Sequence, residues 1–266
     1  MPVALTVAGS DPSGGAGIQA DLKTFHQFGV YGEAVLTLIT VQNTQTVSRV
    51  ELLDPELVRQ QIEAVLSDIP PNAAKTGALG SSAIIEAVAQ ALGNTPLIVD
   101  PVMISKHGAS LIGDEAAYTL RQTLFPKALL ITPNLYEAAA LTGLSVETEK
   151  QMVIAARRLL EMGPKAVLVK GGHLTGRASD LLITTETIDW FTDERTDTPH
   201  THGTGCTYSA AITALIAAGR PLRESVEIAK RYITEAIQTN PALGHGQGPV
   251  NHFAQISLGA VLPGKS

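Results

Sequence analysis

The 266-residue chain lacks several features that would each point to a class of protein. It has one cysteine, which excludes an intramolecular disulfide framework and a zinc site with several cysteine ligands. It has no apolar run long enough to span a bilayer, and residues 1–7 carry no basic segment of a signal peptide. Its net charge of -6 and its lack of Lys/Arg clusters argue against a nucleic-acid surface. We therefore expect a cytoplasmic protein that binds neither nucleic acid nor a membrane.

What is present is the composition of an ordinary globular protein. A hydrophobic content of 44% is ample for a packed core, and 266 residues suit one large domain or two small ones. Neither a Ser/Pro-rich linker nor a low-complexity tract divides the chain. We therefore predict a single domain over residues 1–266.

Short apolar, β-rich runs alternate with helical runs along most of the chain. Such alternation predicts an α/β fold with a mostly parallel central sheet and helices on both faces. The pattern changes near the end to a hairpin-like pair at 179–184 and 186–191. The predicted strands are 3–7, 31–41, 48–53, 96–100, 128–132 and 166–170, with a further strand end at 75–77, and the predicted helices are 18–28, 55–66, 81–92, 114–124, 135–142, 147–162 and 206–218, the first of two terminal helices.

The only cysteine lies in the segment Thr201-His202-Gly203-Thr204-Gly205-Cys206, which leads into the predicted helix 206–218. The free N–H groups and the dipole of a helix N-terminus favour an anion, and glycines there allow it to approach the backbone closely. The same field lowers the pKa of a thiol, which would make Cys206 reactive. The alternative is a buried structural cysteine beside a turn.

Polar or glycine residues follow nearly every predicted strand. In an open α/β sheet, ligands bind beyond the carboxyl ends of the strands, so these residues should converge. They describe a polar rim with two acids, two lysines and glycine-lined anion sites, although Asn134 and Glu137 taken alone would form a helix capping box. The segments concerned are 9–17, 42–44, 75–77, 100–103, 132–137 and 170–173.

This set of residues suits phosphoryl transfer. Asp100 and Glu137 offer hard oxygen atoms for Mg²⁺, through water because Mg²⁺ loses its hydration shell reluctantly. Lys170 could neutralise phosphate charge. The glycine-rich loop 8–17 matches neither the Rossmann nor the Walker A pattern, so it is weak support by itself.

Motifs spread over the whole chain resemble the bacterial hydroxymethylpyrimidine/phosphomethylpyrimidine kinases of thiamin biosynthesis. That resemblance implies a ribokinase-like fold, the use of ATP and Mg²⁺, and a homodimer. The implied activity is phosphorylation of 4-amino-5-hydroxymethyl-2-methylpyrimidine and of its monophosphate. The motifs are 7–25, 41–44, 75–77, 99–103, 132–138, 169–173, 202–207 and 244–249.

The resemblance implies roles for the residues around the transferred phosphate. Gly203, Thr204 and Gly205 would form the anion hole for the γ-phosphate, and Asn134 and Lys170 would bind ATP phosphates beside it. Asp100 and Glu137 would serve the metal.

Cys206 would stand where most ribokinase relatives have an aspartate base. It would take the proton from the hydroxymethyl group, or else only shape the site.

The resemblance also implies four substrate contacts. The Gln42 carboxamide would read the aminopyrimidine through one acceptor and one donor. Gly9 and Asp21 would contact the substrate, and Val102 would pack against its ring. The chain departs from the family at Ala78, where methionine is usual, and we expect Met103 or Leu79 to fill part of that space.

Three other functions fit parts of the pattern. Pyridoxal kinase, alone or as a second activity, is closely similar and keeps the glycine-cysteine motif. A thiol hydrolase using Cys206 and His202 is conceivable, although we expect His202 to be a loop residue without the geometry for an ion pair with Cys206. A non-catalytic nucleotide sensor would leave Asp100 and Glu137 without a task.

Overall fold

In a computed structural model, which describes residues 1–103, 113–172, 174 and 177–255, the chain folds around one sheet. The strands of the described residues are β1 Val3–Ser10, β2 Tyr31–Gln42, β3 Val47–Leu52, β4 Ala73–Thr76, β5 Leu97–Val99, β6 Leu130–Ile131, β7 Ala166–Val169, β8 Ala178–Thr184 and β9 Ile188–Asp193. The α-helices are α1 Gly17–Gln27, α2 Pro55–Asp68, α3 Ser82–Ala91, α4 Asp114–Thr123, α5 Leu135–Thr142, α6 Glu149–Leu160, α7 Thr204–Ala217 and α8 Leu222–Gln238.

The sheet has the strand order β3-β2-β1-β4-β5-β6-β7-β8-β9. Strands β2 to β7 of that row pair in parallel, whereas β3, β8 and β9 run antiparallel to their neighbours. The central strands β4, β5 and β7 are buried along their whole length, because a parallel sheet is covered on both faces. The predicted α/β class and the terminal hairpin, which is β8–β9, are confirmed.

Two hydrophobic clusters cover the two faces of the sheet. One contains apolar side chains of α2, α3, α4, α5 and α6, and the other contains those of α1, α7 and α8. Helix α7 is apolar around most of its circumference, since ten of its residues are buried. It therefore lies inside the second cluster, and its N-terminus is held at the edge of the sheet. Within the described residues, no helix is both long and apolar enough to cross a membrane.

Two boundaries differ from the sequence prediction in ways that affect the site. Helix α7 begins at Thr204, so Thr204 and Gly205 belong to its first turn. Strand β4 ends at Thr76, and Lys75 lies within it as a fully buried side chain. The expectation that Lys75 belongs to the polar rim is therefore wrong.

Candidate active site

A cleft of about 770 Å³ opens at the carboxyl ends of the parallel strands. Almost every residue predicted to act on a ligand contributes to its wall. The predicted residues on the wall are Gly9, Gln42, Asp100, Val102, Asn134, Glu137, Lys170, Gly203, Thr204, Gly205 and Cys206.

The first turn of α7 forms one side of this cleft. Gly203 precedes the helix in the left-handed region, with φ of 79°, and a Cβ there would collide with the carbonyl oxygen of Gly15. The N–H of Thr204 donates to Thr201 O, whereas within the described residues no backbone carbonyl accepts from the N–H groups of Gly205 and Cys206. These two groups lie at the positive end of the helix, which favours an anion.

A lysine and an aspartate face this helix end. Lys170 Nζ lies 2.9 Å from Asp100 Oδ1, and a Cβ on Gly205 would lie 3.3 Å from the same Nζ. Any side chain at position 205 would therefore fill the space between the ammonium group and the helix. The Lys170 side chain is 13% exposed and that of Asp100 is 2% exposed, so it is the lysine that reaches into the cleft.

Hydrogen bonds hold Asp100 in its charged form. Burial opposes the charge, but Lys170 and Lys75 together with a hydrogen bond from Ser209 lower its pKa below the usual range. Thr132 donates to the same carboxylate at 3.1 Å.

Asn134 and Glu137 form the capping box of α5, as their spacing alone suggests. The Glu137 carboxylate accepts from the N–H of Asn134 at 2.8 Å, and the Asn134 side chain accepts from the N–H of Glu137 at 2.9 Å. Burial raises the pKa of Glu137 to about 7. Both residues line the cleft, so capping does not remove them from it.

The two carboxylates fit a hydrated Mg²⁺. Asp100 and Glu137 supply hard oxygen atoms on one wall of the cleft, and each already accepts protein hydrogen bonds. Within the described part of the chain, no group of three His, Cys, Asp or Glu side chains could enclose a metal ion. The donor set therefore suits an ion held largely by water and phosphate oxygens, with the two carboxylates around it.

Cys206 is half-buried in the first turn of α7. Its sulfur receives a hydrogen bond from the backbone N–H of Gly17 at the start of α1. Burial nevertheless raises the pKa of the thiol to about 11, and the carboxylates of Asp21 and Asp100 oppose the favourable effect of Lys75. The expectation that this pKa is lowered is therefore wrong, because loss of solvent has the largest effect and raises it.

Asp21 lies beneath the cleft and not on its wall. Its side chain is fully buried, accepts from Lys75 Nζ at 2.7 Å and accepts from Thr6 Oγ1 at 2.6 Å. The Asp21 carboxylate raises the pKa of Lys75 although burial acts in the opposite direction. Asp21 does not line the cleft, so its contact with the substrate stays a prediction, and its ion pair with Lys75 supports the site from inside.

His202 lies in the segment between β9 and α7, outside the helices and strands as predicted, and its side chain is buried there. Its side chain is 3% exposed, and its Nε2 atom lies 2.7 Å from Asp11 Oδ2 and 3.2 Å from Gln42 Nε2. This pair with Asp11 was not predicted from the sequence. The sequence feature that pointed to the pair is that Asp11 and His202 each lie in a glycine-rich segment that ends at the predicted site.

Val102, Ala78 and Leu38 are among the apolar residues that line the cleft. Leu79 is buried in the core, and Met103 packs against that core. Neither residue lines the cleft, although we expected one of them to fill the space of the methionine that is usual at position 78. Ala78 itself lines the cleft at that position. His173 of the 169–173 motif lies outside the described residues.

Comparisons with known proteins agree with this geometry. The phosphomethylpyrimidine kinase family matches residues 11–251. A hydroxymethylpyrimidine/phosphomethylpyrimidine kinase of Staphylococcus aureus strain Mu50 is 45% identical over 260 residues, which cover 96% of this chain and 94% of that protein.

Two solved structures share the ribokinase-like fold. Phosphomethylpyrimidine kinase from Clostridium difficile 630 has a TM-score of 0.79 and 45% identity, over 89% of this chain and all of that one. An ADP complex of Bacillus subtilis pyridoxal kinase has a TM-score of 0.88 and 40% identity, over 96% of this chain and 98% of that one. The chain therefore belongs to the phosphomethylpyrimidine kinase family.

Proposed function

We propose that this protein transfers the γ-phosphate of ATP to the hydroxymethyl group of 4-amino-5-hydroxymethyl-2-methylpyrimidine, and then phosphorylates the monophosphate to the diphosphate. The observation that carries the proposal is the meeting of the α7 N-terminus with Lys170 and Asp100 at one cleft. Helix N–H groups and an ammonium group are the donors that stabilise charge on a phosphoryl group in transfer. The 45% identical relative bears the name of both activities.

Each residue of the cleft then has a defined task. The N–H groups of Gly205 and Cys206 bind the γ-phosphate, and Gly203 and Thr204 place them. Lys170 neutralises its charge, and Asn134 lies on the same wall toward the ATP phosphates. Asp100 and Glu137 would hold a hydrated Mg²⁺, which would supply positive charge to the phosphate oxygens.

On the acceptor side, the contacts come from the first two strands and the loop after β5. Gln42 pairs with the aminopyrimidine edge, Val102 packs on the ring, and Gly9 lets the ring approach the backbone. A side chain at position 9 would press on Leu38, which lines the same cleft.

Pyridoxal is the second candidate acceptor. The pyridoxal kinase of Bacillus subtilis is 40% identical to this chain, so the two acceptors are accommodated by closely similar folds. Gln42 favours the pyrimidine, since its carboxamide matches a ring nitrogen beside an amino group. A thiol hydrolase is disfavoured, because burial raises the pKa of the Cys206 thiol to about 11 and little thiolate nucleophile is then present at neutral pH.

We assign Cys206 as the base, and its raised pKa gives the assignment a pH signature. With a pKa of about 11, the thiolate is a minor species at neutral pH that grows roughly tenfold for each unit of pH. The kcat of the wild type should therefore rise between pH 7 and 9. Cys206→Ala should lose most of kcat, keep its affinity for ATP and lose the slope. An equal slope in Cys206→Ala, measured by steady-state kinetics, would remove the base assignment.

We further propose a cytoplasmic homodimer. The antiparallel strand pair β2–β3, at one edge of the sheet, exposes Ile39, Val41 and Leu52, which a second copy could cover. Sedimentation equilibrium should give twice the chain mass of 27.9 kDa.

The activity is tested by coupled assay of ADP release. Hydroxymethylpyrimidine and its monophosphate should each release ADP, only with Mg²⁺ present. Mass spectrometry should find the diphosphate as the final product. If neither pyrimidine stimulates ADP release over the rate with ATP alone, the proposed function is wrong.

A further inference from the structure

Asp11, His202 and Gln42 form a chain of contacts that phosphate transfer itself does not require. His202 Nε2 lies 2.7 Å from Asp11 Oδ2 and 3.2 Å from the amide nitrogen of Gln42. Asp11 and His202 are almost completely buried, and all three residues line the cleft. The contacts therefore run from the loop after β1, through the segment before α7, to the end of β2.

The Nε2 atom of His202 carries a proton. Asp11 is a carboxylate, because hydrogen bonds from His202 and Ser13 hold its pKa below the usual value despite its burial. The N–H and the hydroxyl of Ser13 donate to Oδ1, and the N–H of Ala16 donates to Oδ2. A carboxylate oxygen only accepts, so the ring nitrogen 2.7 Å away must be the donor.

This proton determines how the Gln42 amide is oriented. The structure places the Gln42 amide nitrogen toward His202 and its oxygen toward Thr40, but the two ends of a carboxamide exchange by a half-turn of the group. A protonated Nε2 cannot accept from an NH₂ group, so the half-turned amide, with its oxygen toward His202, is the favourable one. Thr40, on the other side of the amide, favours the same orientation of Gln42. Its hydroxyl has one proton, which goes to Ser10 O at 2.9 Å, so toward Gln42, at 3.3 Å, it serves as an acceptor. Both neighbours favour oxygen toward His202 and NH₂ toward Thr40.

We propose that His202, held by Asp11, is a positioning residue that fixes the Gln42 carboxamide in this orientation and so sets the preference of the cleft for an aminopyrimidine ring. The inference rests on the proposed function. With the amide fixed, one N–H and one lone pair of the oxygen remain for the ligand. A ring nitrogen beside an amino group satisfies both, whereas a ring without that pair leaves a polar group of Gln42 unsatisfied.

The geometry can be tested without any turnover. Nitrogen-15 NMR of the full-length protein should show the Nε2 atom of His202 protonated from pH 6 to 8. The same shift should persist in Gln42→Ala, because Asp11 and not Gln42 holds the proton. An unprotonated Nε2 in this range would overturn the proposal.

The role is tested by a double-mutant cycle. His202→Leu should raise the KM for hydroxymethylpyrimidine about tenfold, the loss of one hydrogen-bonded contact, while the KM for ATP stays within about twofold of wild type. In a Gln42→Ala background, His202→Leu should have little further effect on that KM, because its effect passes through Gln42. Equal effects in both backgrounds would overturn the proposal, as would an equal rise in the KM for ATP.

Two further variants separate positioning from support of the loop. His202→Gln keeps an N–H donor toward Asp11 and should recover most of the lost affinity. His200→Leu is the matched control, since His200 accepts from the N–H of Gly248 and does not line the cleft. It should leave the pyrimidine KM unchanged, and a rise equal to that of His202→Leu would assign the effect to the loop. If the wild type fails to phosphorylate the pyrimidine, the proposed function falls while the NMR result still decides the positioning of His202.

Discussion

Replacing Lys170 with methionine is expected to reduce kcat by roughly 100- to 1,000-fold, the usual cost of removing one donor from a preorganised anion site. Lys170 reaches into the cleft between Asp100 and the first turn of α7. Its charge is needed most where negative charge is redistributed over the transferred phosphate. Removing it also leaves Asp100 with one cation fewer. Stopped-flow or steady-state measurement of ADP release gives the value.

A matched lysine lies at the other end of the same strand. Lys165 precedes β7 and is exposed, whereas Lys170 follows it. Lys165→Met should therefore retain wild-type kcat. If Lys170→Met kept more than about a tenth of wild-type kcat, Lys170 would not be the donor that the phosphate requires.

Replacing Lys75 with methionine is expected to lower the free energy of unfolding by about 3–5 kcal/mol, because it leaves the carboxylate of Asp21 buried without its partner. Both side chains are fully buried and lie 2.7 Å apart. Thr6 is the other side chain that donates to the carboxylate, and one hydroxyl does not replace an ammonium group. Urea unfolding followed by circular dichroism measures the change.

Two controls identify the unpaired charge as the cause. Lys150→Met, at an exposed position of α6, should change the unfolding free energy by less than about 0.5 kcal/mol. Adding Asp21→Asn to Lys75→Met should recover part of the loss, since it removes the unpaired charge. If the double variant were as unstable as Lys75→Met, packing and not charge would explain the effect.

The position of the cleft could be predicted from the sequence because it follows from topology. Alternating strands and helices predict a parallel sheet, and parallel strands end at the same edge. Gln42, Asp100 and Lys170 stand at or directly after the ends of β2, β5 and β7, and the cleft brings them together. The α7 N-terminus was predictable from Gly203, Thr204 and Gly205 before an apolar helical run.

The sequence did not reveal which polar side chains are buried or which residues they contact there. The sequence indicates a strand end near 75–77 but not that Lys75 lies inside the strand with its side chain buried. Asp21 and Lys75 are 54 residues apart, and Asp11 and His202 are 191 apart. Such pairs depend on how two loops or elements meet in three dimensions, which local patterns do not encode.

The protonation state of the Cys206 thiol also depends on tertiary contacts that local sequence does not reveal. A helix N-terminus is readable from sequence and lowers the pKa of a thiol when the thiol stays hydrated. Burial of the thiol and its two neighbouring carboxylates depend on the tertiary structure, and together they raise the pKa of Cys206 to about 11. The position of Cys206 was therefore predictable, whereas its protonation state was not.

Direct competition between the two acceptors measures whether this cleft phosphorylates the aminopyrimidine in preference to pyridoxal. Equal concentrations of hydroxymethylpyrimidine and pyridoxal would be mixed with Mg²⁺ and limiting ATP. The ratio of the two phosphorylated products, quantified by mass spectrometry, equals the ratio of the two kcat/KM values. We predict that phosphorylated pyrimidine exceeds pyridoxal phosphate by about tenfold or more. An excess of pyridoxal phosphate would contradict the account.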